Sequence, residues 1–321
     1  MKKIPVIFMF DDNYAIPAAV AIYSMIENAD KKYMYDIHIL YTDIKKQNML
    51  KLCNMVKQFE NVNITFHCMK ELDKKLHIPK NIAGWPKEII YKLLIADIFP
   101  ELERVIITDA DVVFLDDISC EFLKFNSDEY FAGVKQSAMT HYQKFSTDIT
   151  DNNMHFLCGA GYMIYNLKKM RTDNMVNKYL NFMRENMRFL KLPDQEILNI
   201  VSYPNIKLLS PRNMTLVTYY VSNDYVFNKY SYASTKEEHE EAKKHPVQLH
   251  YVTYTTWGKP WTDFNAPCAE LWYRYLTYTP FFLDFCSTKF NHKKKMPTYI
   301  RFLSHIIPIK AWRQEIRKRY Y

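Results

Sequence analysis

Strand-like and helix-like segments alternate through the first hundred residues, and that alternation restricts the chain to a few architectures. Residues 4–10, Ile-Pro-Val-Ile-Phe-Met-Phe, are an unbroken apolar run, the pattern of a strand buried on both faces. Ala15 to Glu27 follows, with Ile16, Ala19, Val20 and Tyr23 on one side, as a helix requires. Tyr35 to Tyr41 reads as a second strand, Lys46 to Phe59 as a second helix and Val62 to His67 as a third strand. Glu88 to Ile98 is helical until Pro100 stops it, and Arg104 to Thr108 is again a strand. Strands separated by helices predict an α/β fold with a largely parallel central sheet, whose ligands bind at the carboxyl ends of the strands. Beyond residue 120 the pattern loosens. Strands are expected at 130–135 and 160–166, a long helix from Lys168 to Phe189, and irregular aromatic chain over 205–250.

Two acidic clusters fall at predicted strand ends, Asp11-Asp12-Asn13 and Asp109-Ala110-Asp111. The second follows the apolar run Val105-Ile106-Ile107. On extended chain, residues two apart point the same way, so Asp109 and Asp111 present two carboxylates together. A hard dication such as Mn²⁺ or Mg²⁺ takes oxygen ligands of this kind and can bridge them to a diphosphate. A solvated turn with helix-capping aspartates is the plainer alternative. Asp-X-Asp-X-Val after an apolar strand also fits the first motif of haloacid-dehalogenase-like phosphatases. That motif opens its fold, whereas here it begins at residue 109, and no later Gly-Asp-X-X-X-Asp pair follows.

The chain has only five glycines, Gly84, Gly133, Gly159, Gly161 and Gly258. No Gly-X-Gly-X-X-Gly turn and no Walker loop can be built from them, which disfavours a dinucleotide dehydrogenase or a P-loop enzyme. Phosphates must be held otherwise, and a dication is the obvious means. The six cysteines, at 53, 68, 120, 158, 268 and 286, form no Cys-X-X-Cys pair and read as reduced thiols. No apolar stretch of about 18 residues is present to suggest a membrane span, and Met1 to Phe10 reads as a buried strand rather than a signal peptide.

The net charge of +8 is concentrated at one end. Residues 291–321 hold nine Lys or Arg and one acid, Glu315, so this stretch carries the whole excess. The remainder is formally neutral and offers no basic face for nucleic acid. The basic residues are interleaved with aromatic and aliphatic ones, Trp312 among them, and Phe302, Ile306, Ile309 and Ile316 recur at roughly helical spacing, with Pro308 as a break. A basic amphipathic segment after a neutral domain predicts association with an anionic membrane surface. The expected division is a catalytic domain over 1–288 and a tail over 289–321, with the protein peripheral on the cytoplasmic face of the plasma membrane.

Five motifs occur in an order that resembles glycosyltransferase family 8, which includes bacterial lipopolysaccharide and lipooligosaccharide galactosyl- and glucosyltransferases and the glycogenins. They are Phe10-Asp11-Asp12-Asn13-Tyr14-Ala15; Thr108-Asp109-Ala110-Asp111-Val112; Gly159-Ala160-Gly161 with Asn166-Leu167-Lys168-Lys169; Asp194-Gln195-Glu196-Ile197-Leu198-Asn199; and His250-Tyr251 with Lys259-Pro260-Trp261. The resemblance implies a GT-A fold and retaining transfer of a hexose, galactose or glucose, from a UDP-sugar to a saccharide or glycolipid acceptor, as in lipopolysaccharide biosynthesis. It implies that Asp109, Asp111 and His250 hold Mn²⁺, with Mg²⁺ as the other choice, and that Lys259 neutralises the leaving diphosphate. Asp11 would meet the uracil edge and Asn13 the ribose, with Met9, Tyr14, Lys92, Ala110 and Gly258 completing the donor contacts. Asp194 and Gln195 would face the donor sugar as the catalytic pair.

The sequence departs from the family pattern around the sugar. Gly159 stands where the family often has asparagine, Lys92 where the bacterial branch has arginine, and Gln136 where an acid is frequent. A nucleotide-sugar-binding protein with weak or no transfer activity is therefore the alternative.

Overall fold

The computed structural model describes residues 1–76, 81–82, 85–126, 128–138, 154, 156–221, 234–253 and 257–290. Strands β1 (Lys2–Met9), β2 (Tyr33–Tyr41) and β3 (Val62–Cys68) are joined by helices Ala15–Glu27 and Lys46–Val56. Short strands β4 (Asn81–Ile82) and β5 (Trp85–Pro86) pair with each other. There follow β6 (Arg104–Thr108), β7 (Val112–Phe114), β8 (Phe131–Ala138), β9 (Phe156–Asn166), β10 (Ile206–Leu209), β11 (Thr215–Leu216) and β12 (Gln248–His250). The main sheet has the order β10-β8-β9-β6-β1-β2-β3. Every neighbouring pair in it is parallel except the two made by β9, which runs against both β6 and β8. The fold is α/β, of GT-A type, with a mainly parallel central sheet. Ile4, Val6, Ile7 and Phe8 of β1 are wholly buried, which is why the strand is apolar at every position from Ile4 to Met9 rather than at alternate ones, the exposed Lys2 and Lys3 preceding that run. Pro5, which has no N–H to give, precedes by one residue the start of pairing with β6 at Val6↔Ile106.

A second sheet, of order β11-β12-β7, has β12 antiparallel to β7. One apolar cluster joins Ile7, Ile107, Met163 and Tyr165 of the main sheet to Tyr179 and Met183 of helix Met175–Asn186 and to Ile197 and Leu198 of helix Pro193–Ser202. Each such side chain contributes roughly 1.5–3 kcal/mol by leaving water. The Tyr179 hydroxyl, buried among them, is paired with Ser202 Oγ at 2.8 Å.

Three expected elements differ in detail. The helix expected over 168–189 is two, Leu167–Thr172 and Met175–Asn186, separated where Asn174 adopts the left-handed conformation at φ 55°. The helix expected over 88–98 is a 3-10 segment, Lys87–Leu93, followed by one α-turn, Ile95–Ile98. The stretch 205–250 includes β10, β11, β12 and helix Lys236–Lys244, which begins with a capping box between Thr235 and Glu238. The Asn166-Leu167-Lys168-Lys169 motif is structural. Asn166 caps its helix by accepting from the Lys169 amide, and Arg171 donates to the carbonyls of Ala96, Phe99 and Leu102.

Residues Met1–Thr279 form one compact unit and a second begins at Pro280. The described cysteines are free thiols. Among the described residues no helix is long and apolar enough to cross a membrane. The basic amphipathic segment from residue 291 onward lies outside the described residues.

Candidate active site

Asp109 and Asp111 stand where β6 gives way to β7, each held by a different ladder. The Asp109 amide donates to the Gly161 carbonyl at 3.2 Å, extending the β6–β9 pairing. The Asp111 carbonyl accepts from the Tyr251 amide at 3.0 Å, extending the β7–β12 pairing, in which His250 lies opposite Val112. The main sheet thus fixes one carboxylate, and the small sheet fixes the other together with His250. Ligand atoms of Asp109, Asp111 and His250 all lie within 4.8 Å of one another. His250 Nε2 is 3.2 Å from Asp111 Oδ1 and 3.9 Å from Asp109 Oδ2. A Cβ on Gly161 would fall 2.7 Å from the His250 ring and 3.3 Å from Asp109 Oδ2, so the imidazole can occupy this place only beside a glycine. Gln248, two residues before His250 on the same strand face, donates to Thr108 Oγ1 at 2.6 Å and to the Gly161 carbonyl at 3.2 Å, tying the two sheets together. Two carboxylates and one imidazole converging this closely fit a dication of the Mn²⁺ or Mg²⁺ type.

Two lysines take the carboxylate oxygens that His250 does not face, Asp109 Oδ1 and Asp111 Oδ2. Lys92 is almost fully buried and donates to Asp109 Oδ1 at 2.7 Å, Asp194 Oδ2 at 3.0 Å and the Ala160 carbonyl at 3.0 Å. Burial favours its neutral form, but Asp109 and Asp194 outweigh that and hold its pKa above the ordinary lysine value. Lys259 Nζ lies 2.6 Å from Asp111 Oδ2 and also donates to the Tyr251 carbonyl. Burial disfavours the charged Asp111 carboxylate, yet Lys259 and His250 prevail and keep it well below the usual carboxylate range.

The first acidic cluster builds a turn beside this centre, since β1 and β6 are neighbours paired at Phe8↔Thr108. Asp11 caps the 3-10 turn Asp12–Tyr14, accepting from the amides of Asn13 and Tyr14 and from Asn13 Nδ2 at 2.8 Å. Asp12 is turned away, toward Lys45 and Asn48. Met9 is partly buried at the end of β1 and packs on the apolar cluster, and Ala110 is buried. The Tyr14 phenol is pushed up to about 12 by burial and by the carboxylates of Asp111, Asp109 and Asp11, which puts Tyr14 within the field of the cluster. Its ring meets Trp261 edge-on at 5.7 Å. The loop bearing Lys259 is tightly wound, with the Gly258 amide on Asp263 Oδ2 at 2.9 Å and the Lys259 amide on Thr262 Oγ1 at 3.2 Å.

Asp194 follows Pro193, the first residue of helix Pro193–Ser202, and reaches the cluster through Lys92. Gln195 is buried, and its Nε2 has no hydrogen-bond partner among the described residues. One turn on, Asn199 accepts from the Cys158 amide and donates to the carbonyls of Cys158 and Gln195, clamping this helix to β9. Glu196 is fully buried, and burial raises its pKa. At Gly159 a Cβ would meet Gln136 Oε1 at 2.3 Å and Met214 Cε at 2.4 Å, so those two side chains occupy the space a larger residue would take. Sequence reasoning named neither Gln248 nor Met214, and named Asn199 only as part of a motif. Gln248 was legible in principle, as the polar residue two before His250 on one strand face.

A GT-A fold carrying a carboxylate–imidazole cluster at the carboxyl end of its sheet defines a glycosyltransferase. The comparisons place it more narrowly: residues 5–265 match the glycosyl transferase family 8 profile, and the chain belongs to that family. It is 25% identical over 281 residues to general stress protein A of Bacillus subtilis (strain 168), covering 84% of this chain and 91% of the relative. It is 26% identical over 310 residues to a lipopolysaccharide 1,2-glucosyltransferase of Escherichia coli, covering 88% and 89% respectively. Among solved structures, the WbbM bifunctional glycosyltransferase in its apo form superposes with a TM-score of 0.75 at 22% identity. That match covers 89% of this chain and about half, 51%, of the WbbM chain. Family membership removes the phosphatase alternative raised by Asp-X-Asp-X-Val.

Proposed function

We propose that this chain transfers a hexose, galactose or glucose, from a UDP-sugar to a saccharide acceptor of a cell-surface glycan or glycolipid, with retention of anomeric configuration and with Mn²⁺ as cofactor. The convergence of Asp109, Asp111 and His250 beside Lys259 carries this reading. The lipopolysaccharide substrate in the name of the Escherichia coli relative supports an acceptor of that class. When bound, the dication supplies charge stabilisation to the departing diphosphate, a contribution of several kcal/mol. Asp109, Asp111 and His250 would hold it, Lys259 would bind a diphosphate oxygen, and Asp11, Asn13 and Tyr14 would form the nucleoside end of the pocket. Lys92 holds Asp194 against Asp109, so the sugar side and the metal side form one ion-paired unit. Gln195 offers a neutral amide, a poor nucleophile. The acceptor oxygen therefore bonds to the anomeric carbon on the face from which the diphosphate leaves, and its proton passes to the departing phosphate oxygen. Proton NMR of the product checks this: an α-linked product from an α-linked donor is expected, and a β-linked product contradicts retention.

Gly159 favours a second reading, a protein that binds the nucleotide-sugar with little transfer. Gln136 and Met214 fill the space beside it, so the sugar pocket differs from the common family pattern. UDP release under saturating donor and acceptor separates the two readings, because a binding protein releases little or none. We further propose that 289–321 attaches the protein to the cytoplasmic face of the membrane through its basic and aromatic side chains, and that nucleic acid is not a partner.

A further inference from the structure

The carboxylates of the site are already matched by cations of the protein's own. Asp109, Asp111 and Asp194 face Lys92 and Lys259, leaving a single net negative charge to attract a dication. The two lysines differ in how firmly they are held. Lys92 is 5% exposed at its side chain and has three acceptors, two carboxylates and a carbonyl, so leaving would strand buried charge. Lys259 is 17% exposed, stands on the loop that begins after β12, and has one carboxylate and the Tyr251 carbonyl. When it swings away, Asp111 keeps His250 at 3.2 Å and can take up a dication in its place. Its carboxylate, Asp111, is one of the three candidate ligands.

We propose that Lys259 is the resident counter-ion of the cation site: seated on Asp111 it weakens the binding of a bare dication, and a nucleoside diphosphate draws it off. Cation and diphosphate then bind tightly only together, since a ligand that removes a competing positive charge raises the affinity of the other, and the effect is reciprocal. This rests on reading Asp109, Asp111 and His250 as metal ligands, and the experiment separates the two claims.

Mn²⁺ binding is followed by loss of the free-ion signal in electron paramagnetic resonance, with and without UDP. The proteins are the full chain and its Lys259→Met, Lys259→Gln, Lys259→Arg and Asp111→Asn variants. Even with the full screening of bulk water, deleting one positive charge about 4 Å from a dication tightens Mn²⁺ binding by at least about tenfold. Lys259→Met and Lys259→Gln are therefore expected to bind Mn²⁺ alone more tightly than the unmodified protein, while Lys259→Arg stays close to it. The increase in Mn²⁺ affinity produced by UDP should shrink in both neutral variants. If both neutral variants bind Mn²⁺ alone no more tightly while Asp111→Asn still weakens binding, the counter-ion role is wrong and the metal site stands. If Asp111→Asn leaves Mn²⁺ binding unchanged, or Mn²⁺ does not bind with or without UDP, both claims fail.

Discussion

Gly161 has no room for a side chain, because the His250 ring occupies the place where a Cβ would be. Gly161→Ala should push the imidazole off the carboxylates. A displacement of this order commonly costs catalysis about a hundredfold, while overpacking costs only about 1–3 kcal/mol of stability. Assays of UDP release alongside thermal melts should show a folded protein whose turnover falls by at least about tenfold; undiminished turnover would mean that the position of His250 does not matter. Lys92 and Lys259 can be told apart by stability. Lys92→Met strands the buried Asp194 and should cost about 3 kcal/mol in urea unfolding, the low end of the range for breaking a buried pair because Asp109 is partly exposed. Lys259→Met takes one partner from Asp111 but leaves His250 beside it, and should cost less than Lys92→Met. These pairings were not legible in the sequence. Asp-X-Asp could be read locally from its strand, but Lys92 was placed only by family order, and nothing in its neighbourhood signals two carboxylate partners.

Strands β2 and β3 carry a histidine pair away from the site. His38 Nδ1 lies 3.1 Å from His67 Nε2, and Phe99 packs on both rings. Burial lowers both pKa values from the ordinary 6.5; Asp36 and Glu101 oppose it, while Lys3 reinforces it at His38. Because the folded pKa values lie below the unfolded ones, the unfolded chain binds more protons as the pH falls below about 6.5. The contribution to stability is present above that pH and lost beneath it. Urea midpoints should therefore fall between pH 7.5 and pH 5.5, and a His38→Gln/His67→Gln protein should show a flatter profile; an equally steep one would assign the loss to other groups. Element by element, legibility followed periodicity. β1 declared itself by an apolar run long enough to span a sheet. The helix expected over 168–189 broke at Asn174, whose left-handed backbone leaves no mark on a 3.6-residue pattern. β11 and β12 are two and three residues long and too short to show any period.

At the scale of the whole molecule, every proposed site residue and the entire main sheet lie within Met1–Thr279. Truncation after residue 288 should therefore leave Mn²⁺ and UDP binding intact and sharply reduce co-sedimentation with vesicles containing acidic lipid. Each basic residue near such a surface contributes about 1 kcal/mol, screened by salt. A truncated chain that sediments as well as the full one would end the anchor reading. The site itself was assembled from distant parts: Asp109 could be found from its own strand, whereas His250 and Lys259 needed the order of motifs along the chain. The reason is the topology, which brings β12 beside β7 only after the main sheet is complete. The central claim, sugar transfer from a UDP-hexose at the Asp109–Asp111–His250 centre, is tested most directly by UDP release from UDP-galactose and UDP-glucose with added Mn²⁺. EDTA is expected to abolish release and Mn²⁺ to restore it. Asp111→Asn should lower it by at least about two orders of magnitude, in line with the several kcal/mol a metal supplies. Full activity in EDTA, or an Asp111→Asn protein as active as the unmodified chain, would contradict it.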